Sequence, residues 1–236
     1  MATSASQPMM GEGPSTEVTP DVQVRMEPTL SFYKRGNRQI LLLMVVALPI
    51  ALAVWLGMFF LLPEIHNMDT PADRHEFTFR CLAVATLMTL ALNIECVAHG
   101  RIFTAFAVDP IAQQGNEPYS MKVNMRVLSQ TVEQLILFGV ALLGLASYSA
   151  DGKQMRAVVA TTVVFVISRW VYWGGYHYAP RLRTPGNISL VQSLIVLIYV
   201  AGRFGNEMAG VPGVMLCLLP FVGAEVLLVL ERGMVN

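Results

Sequence analysis

Arg126, Gln130 and Glu133 stand at i, i+4 and i+7 in a run that is otherwise mostly apolar, a spacing that sets all three on one face of a helix. Gln134 lies beside them. Arg169, Tyr172 and Tyr176 sit at i, i+3 and i+7 in a second apolar run, and Glu95 and His99 stand one helical turn apart in a third, with Arg101 close by. A charged side chain at mid-bilayer costs about 2.5–3.5 kcal/mol on insertion scales, so such residues are expected to face partners. Glu133 and Arg169 are expected to form a buried ion pair that locks two helices. A second reading has the same residues hold a polar ligand as well. Glu95 and His99 read as a satisfied structural pair, because two ligands make a poor metal site; no metal is expected. Tyr172 and Tyr176 have two readings, as site residues or as interface aromatics beside Trp170, Trp173 and Tyr178. Glu225 has no assignable partner. No serine, cysteine or carboxylate arrangement suited to nucleophilic or hydrolytic catalysis stands out.

The elements that must position these residues are membrane helices. Of 236 residues, 54% are hydrophobic and 14% are charged, against about a quarter charged in soluble domains, and the deficit falls in long apolar runs. The expected fold is all-α, a polytopic membrane helix bundle. Formal net charge is zero, so nothing suggests a nucleic-acid partner. Cys81, Cys96 and Cys217 lie in apolar segments without zinc-ligand spacing and read as packed thiols. Residues 1–39 lack an apolar signal core and are expected to be a disordered tail; Ala2 stands where myristoylation requires Gly.

Six spans are expected. The first covers 40–62, with Pro49 inside it and Pro63 ending it. The second starts near Arg80 and runs past Ala98, and a polar loop occupies 107–125. The third covers 126–148, the fourth 156–178 and the fifth 188–201. After a turn at 205–210, the last covers 211–230 with Pro212 and Pro220 inside. Lys34, Arg35, Arg38, Arg101, Lys122, Arg126, Arg181, Arg183 and Arg232 fall on one side, and Arg74, Arg80, Lys153, Arg156 and Arg203 on the other. The larger set marks the cytosolic side, with both termini. Arg126, Arg181, Arg183 and the 101–126 loop would then form a basic mouth at that face. It suits a small anion with several carboxylates, which the planar arginine fork matches. The sequon Asn187-Ile188-Ser189 is on the same side and is expected to be unmodified.

The stretch Arg126-Val-Leu-Ser-Gln-Thr-Val-Glu133-Gln-Leu-Ile-Leu-Phe138 resembles the second-helix signature of the MAPEG superfamily, the membrane-associated proteins in eicosanoid and glutathione metabolism. Phe165-Val-Ile-Ser-Arg169-Trp-Val-Tyr172-Trp-Gly-Gly-Tyr176 resembles its third helix, and Arg183-Thr-Pro185-Gly186 the turn that follows. The resemblance covers 78–203. It looks most like the mattrin-like branch, on the extra helix at 40–62, on Phe79-Arg80-Cys81, and on Ser168-Arg169 followed by Tyr172-Trp173. Together with the apolar run at 211–230, it implies a four-helix core with one helix before it and one after. It also implies a homotrimer in a lipid bilayer, in the endomembranes or plasma membrane, and glutathione bound between subunits near the cytosolic face. Its binding residues carry over to Arg126, Gln130, Glu133, Arg169, Tyr172 and Tyr176. Gln130 stands where many members have Asn, and Tyr172 where some have His. The fourth family helix departs more: the arginine that activates the glutathione thiol, and a tyrosine one turn on, would fall near Asn187 and Val191. Two functions follow. One is a glutathione-dependent transferase or peroxidase acting on a lipophilic electrophile. The other is a non-catalytic mattrin-like protein regulating membrane traffic or other membrane proteins. A small transporter is the weaker third, since no repeated half or matched pair of broken helices is seen.

Overall fold

The structure is a computed structural model, and it describes residues 30–103 and 117–234. Every regular element among them is helical: α1 (Leu30–Leu61), α2 (Pro71–Thr86), a π-helical turn (Leu87–Ala91), α3 (Leu92–Ile102), α4 (Tyr119–Tyr148), α5 (Arg156–Tyr178), a 3-10 turn (Thr184–Asn187), α6 (Ile188–Ala209) and α7 (Val211–Met234). With α2, the π turn and α3 taken as one rod, six helices among the described residues are long and apolar enough to cross a membrane. The protein is an integral, multi-pass membrane protein of all-α fold.

Helix ends depart from the hydropathic boundaries where capping chemistry outweighs polarity. The second rod starts at Pro71, well before Arg80. Thr70 Oγ1 accepts from the Asp73 amide at 3.2 Å while the Asp73 carboxylate accepts from the Thr70 amide at 3.2 Å, a reciprocal capping box with proline at the first helical position. The helix therefore nucleates in polar sequence and carries it toward the bilayer. Likewise α4 begins at Tyr119, inside the expected 107–125 loop, and α1 begins at Leu30, inside the expected tail. The remainder of that tail and the loop segment 104–116 lie outside the described residues.

The core runs between α2, α4 and α5. Phe138 and Phe165 stack with centroids 4.0 Å apart, packed with Ala85, Leu142, Ala146, Met155 and Val158, all buried. The rod made by α2 and α3 lies antiparallel to α4. His75 meets Ser147 at one end, and Leu82 packs on Gly139 further in. Between them and α3, the π turn frees a carbonyl from the helical ladder, and Trp170 of α5 donates its indole N–H to that Met88 oxygen at 2.8 Å. α6 packs along α4, and α1 lies chiefly on α5.

α7 touches α6 alone among the described elements. The hairpin joining them turns at Gly210, whose φ of 64° favours glycine. The expected turn from Gly205 is instead helix. Gly205 serves close approach: a Cβ there would lie 2.6 Å from the Gly213 carbonyl oxygen, and one on Gly213 would lie 2.0 Å from that of Gly205. Glu225 is exposed on α7.

Candidate functional site

Arg169 is the largest fully buried side chain among the described residues, 1% exposed, where α4, α5 and α6 meet. Its two terminal nitrogens donate to different residues of α4: Nη1 to Gln134 Oε1 at 2.9 Å and Nη2 to Thr131 Oγ1 at 3.1 Å. The same Gln134 oxygen accepts from Ser189 Oγ of α6 at 2.5 Å. One amide oxygen thus ties α4, α5 and α6 together. The guanidinium also lies over the Tyr172 ring, 4.3 Å from its centroid, where the face of the π system attracts a cation. Behind Tyr172, Gly186 of the 3-10 turn comes so close that a Cβ would sit 2.4 Å from the Tyr172 backbone nitrogen. The turn can seat α6 against α5 only with glycine there.

This corrects the expected ion pair. Glu133 is exposed, and its carboxylate takes Gln130 Nε2 at 3.1 Å and Ser129 Oγ at 3.4 Å, both on its own helix. The reason is rotational. Successive residues of a helix are about 100° apart, so Val127, Thr131 and Gln134 form an inward face of the same spacing, displaced one residue from Arg126, Gln130 and Glu133. Neutral acceptors and an aromatic ring hold the buried cation, and no carboxylate bonds to it among the described residues. The sequence reading noted Gln134 beside the outward stripe but gave it no role. Its signal was its membership in that second stripe.

The six expected site residues therefore divide. Arg169 and Tyr172 are buried in the helix junction. Arg126 and Glu133 are exposed on the outer face of α4, with Gln130 half-buried between them. Tyr176 lies between these groups at the Arg183 end of the bundle. Its ring packs with Tyr172, the Arg183 guanidinium lies 4.8 Å from its centroid, and its carbonyl accepts from the Tyr119 hydroxyl at 3.5 Å. Nearby, Asn124 Oδ1 accepts from Trp173 Nε1 at 2.9 Å and meets His177 Nε2 at 2.8 Å. Arg126 lies two helical turns along α4 from Tyr119, which meets Tyr176 and so the Arg183 end. Arg181 points elsewhere, donating to Gln39 of α1 at 2.9 Å.

The expected Glu95–His99 pair does not form. Both are exposed on α3, no ion pair joins them among the described residues, and the His99 ring packs on Phe103 with centroids 4.3 Å apart. Glu95 nevertheless has a placement that the sequence could not give. From the Leu82–Gly139 contact, thirteen residues on is Glu95 and thirteen back along antiparallel α4 is Arg126. By this count the two opposite charges stand at about the same level along the antiparallel helices, both exposed and not paired with each other.

On α6, Asn187 and Val191 are half-buried. Val191 faces α1, in an apolar groove with Ala51, Trp55 and Ile195. A model of the MAPEG family matches residues 78–203, more than half of the chain. No curated protein and no solved structure matches it.

Proposed function

The chain belongs to the MAPEG family, and from that premise we propose that it is a homotrimeric, non-catalytic member that binds glutathione against the outer face of α4. The observation that carries this reading is the outward stripe of Arg126, Gln130 and Glu133 on a membrane helix. Charged groups exposed to lipid are costly, so the stripe needs a cover. A neighbouring copy supplies one, and the complementary charges of Glu95 and Arg126 at about the same level suit a ring of identical subunits. Arg126 offers a fork for a carboxylate of glutathione, and Glu133 with Gln130 offers acceptors for its amino and amide groups.

The absence of a cation at the expected activating position favours the non-catalytic reading. Lowering a thiol pKa takes a positive charge or oriented dipole close to sulfur. Asn187, where the family arginine would fall, carries no charge, and Val191, where the tyrosine would fall, lies in the apolar groove under α1. The role that remains is the regulatory one, in keeping with the mattrin-like resemblance: a membrane scaffold whose assembly or contacts respond to a bound thiol peptide. One observation supports the transferase reading instead. Arg183 lies at the same end as Arg126, and a trimer would decide how near it comes to the thiol.

Glutathione titrated into the purified protein in detergent, with thiolate absorbance followed in the same cell, tests the proposal. The expected result is saturable binding without a thiolate band. Binding with a thiolate band would transfer the weight to the transferase. A strict monomer by native mass spectrometry would remove the intersubunit site.

A further inference from the structure

The first helix lies outside the matched family region, and it leaves a space where it meets the bundle. It is tied at two levels, through Gln39 to Arg181 and through Trp55 Nε1 to Thr161 Oγ1 at 3.0 Å. Around the second tie, α1, α4, α5 and α6 line a groove of about 440 Å³, within the 300–1,000 Å³ range of small-molecule sites. Along α6 it runs from Ile188 to Tyr199, about 16 Å at 1.5 Å per residue. That is roughly half of a bilayer's hydrocarbon thickness. Its rim residues Leu52, Ile195 and Tyr199 are exposed, so the groove opens sideways, toward lipid.

Gln192 brings an amide into its largely apolar wall. Gln192 Nε2 donates to the Thr161 carbonyl at 2.7 Å. That bond fixes the amide's orientation, since only the NH₂ side can donate. Gln192 Oε1 is left buried with no hydrogen-bond partner. Orphaned buried acceptors are rare because each loses its bond to water. The acceptor sits beside the Trp55–Thr161 tie, about 7.5 Å along α5 from Arg156 at 1.5 Å per residue. The apolar wall continues away from it toward Ile188.

We propose that this groove binds a neutral membrane lipid with a single hydroxyl, either a sterol or a long-chain alcohol. The hydroxyl donates to Gln192 Oε1, and the apolar body lies along Ala51, Val191 and Ile188. A carboxylate or phosphate headgroup is disfavoured, because Gln192 Oε1 is an acceptor and no cation lines the groove. An acyl chain alone would fill the space and leave the acceptor orphaned.

Photolabelling of the full chain in lipid nanodiscs tests this. The probes are a diazirine sterol with a free hydroxyl, its methyl ether, and a diazirine long-chain alcohol, with labelled peptides mapped by mass spectrometry. Labels from at least one hydroxylated probe are expected on α1 and α6 around Ala51 and Ile188, and the better-labelling one identifies the source. The ether is expected to label roughly three- to tenfold less, the change in occupancy that one hydrogen bond gives. Gln192→Leu should abolish that difference. Ala51→Phe fills the groove, touches no hydrogen bond, and should remove the label whether or not Gln192→Leu folds. Labels spread over the lipid-facing surface, equal labelling by ether and alcohol, or an undiminished label in Ala51→Phe would each overturn the proposal.

Discussion

Gln134→Leu isolates the buried junction. The substitution keeps the volume near that of glutamine and removes an oxygen that accepts from both Arg169 and Ser189. Ser189 keeps a bond to the Gly186 carbonyl at 3.0 Å, so its loss is small. Arg169 keeps Thr131 and the Tyr172 face but has one guanidinium nitrogen stripped of its acceptor in a site closed to water. A hydrogen bond to a charged group contributes about 1.5–3 kcal/mol. Interhelical bonds in membranes measure lower, at most about 1.7 kcal/mol in double-mutant cycles. A loss of about 2 kcal/mol for Gln134→Leu is therefore expected, with a Gln134/Arg169 coupling of about 1–2 kcal/mol. Unfolding in detergent, on single and double variants with Arg169→Leu, measures both. The companion cycle on Glu133→Gln and Arg169→Leu should give no coupling beyond about 0.5 kcal/mol, since Glu133 turns outward on another face. A strong Glu133/Arg169 coupling with none at Gln134 would refute the rotational argument and restore the ion pair.

Other outcomes follow from the same geometry. Gly186→Ala should lower the thermal midpoint of the whole bundle, because its Cβ meets the Tyr172 backbone rather than a movable side chain. Gly205→Val should separate α7 from α6 and expose α7 to protease while the midpoint of the α2–α5 core holds, since α7 contacts α6 alone. Trp170→Phe should destabilise by about 1 kcal/mol, the contribution of a single hydrogen bond, here the one to the Met88 carbonyl. Asn187 should carry no glycan when the protein is made in a secretory membrane system; a glycan there would reverse the proposed orientation.

Hydropathy located the membrane helices, because the apolar runs at 40–62, 126–148, 156–178 and 211–230 are long and bounded by proline, glycine or charge. It failed at ends set by local hydrogen bonds, as at Thr70–Asp73, and at the α6–α7 hairpin. There Gly205 looked like turn chemistry and is close packing within helix. The pattern at Arg126 and Glu133 correctly placed both on one face. Which face turned inward was decided by Phe138, Val127 and Thr131 packing against α5, a tertiary choice that charge complementarity misjudged. The π turn at Leu87–Ala91 and the groove under α1 had no sequence signature. One is a backbone slip whose freed carbonyl Trp170 takes, and the other is a gap set by how Ala51 and Trp55 meet a particular stretch of α5 and α6.

The central claim is that Arg126 anchors glutathione on the outer face of α4 without activating its thiol. Calorimetric titration of glutathione into wild type and Arg126→Ala, with simultaneous thiolate absorbance, measures it most directly. The account predicts saturable binding to wild type, affinity reduced about tenfold or more in Arg126→Ala for the loss of a charged hydrogen bond, equal thermal stability of the two proteins, and no thiolate band in either. No binding to wild type, or equal affinity in the two proteins, would contradict the placement of the site, and a thiolate band in wild type would contradict the non-catalytic assignment.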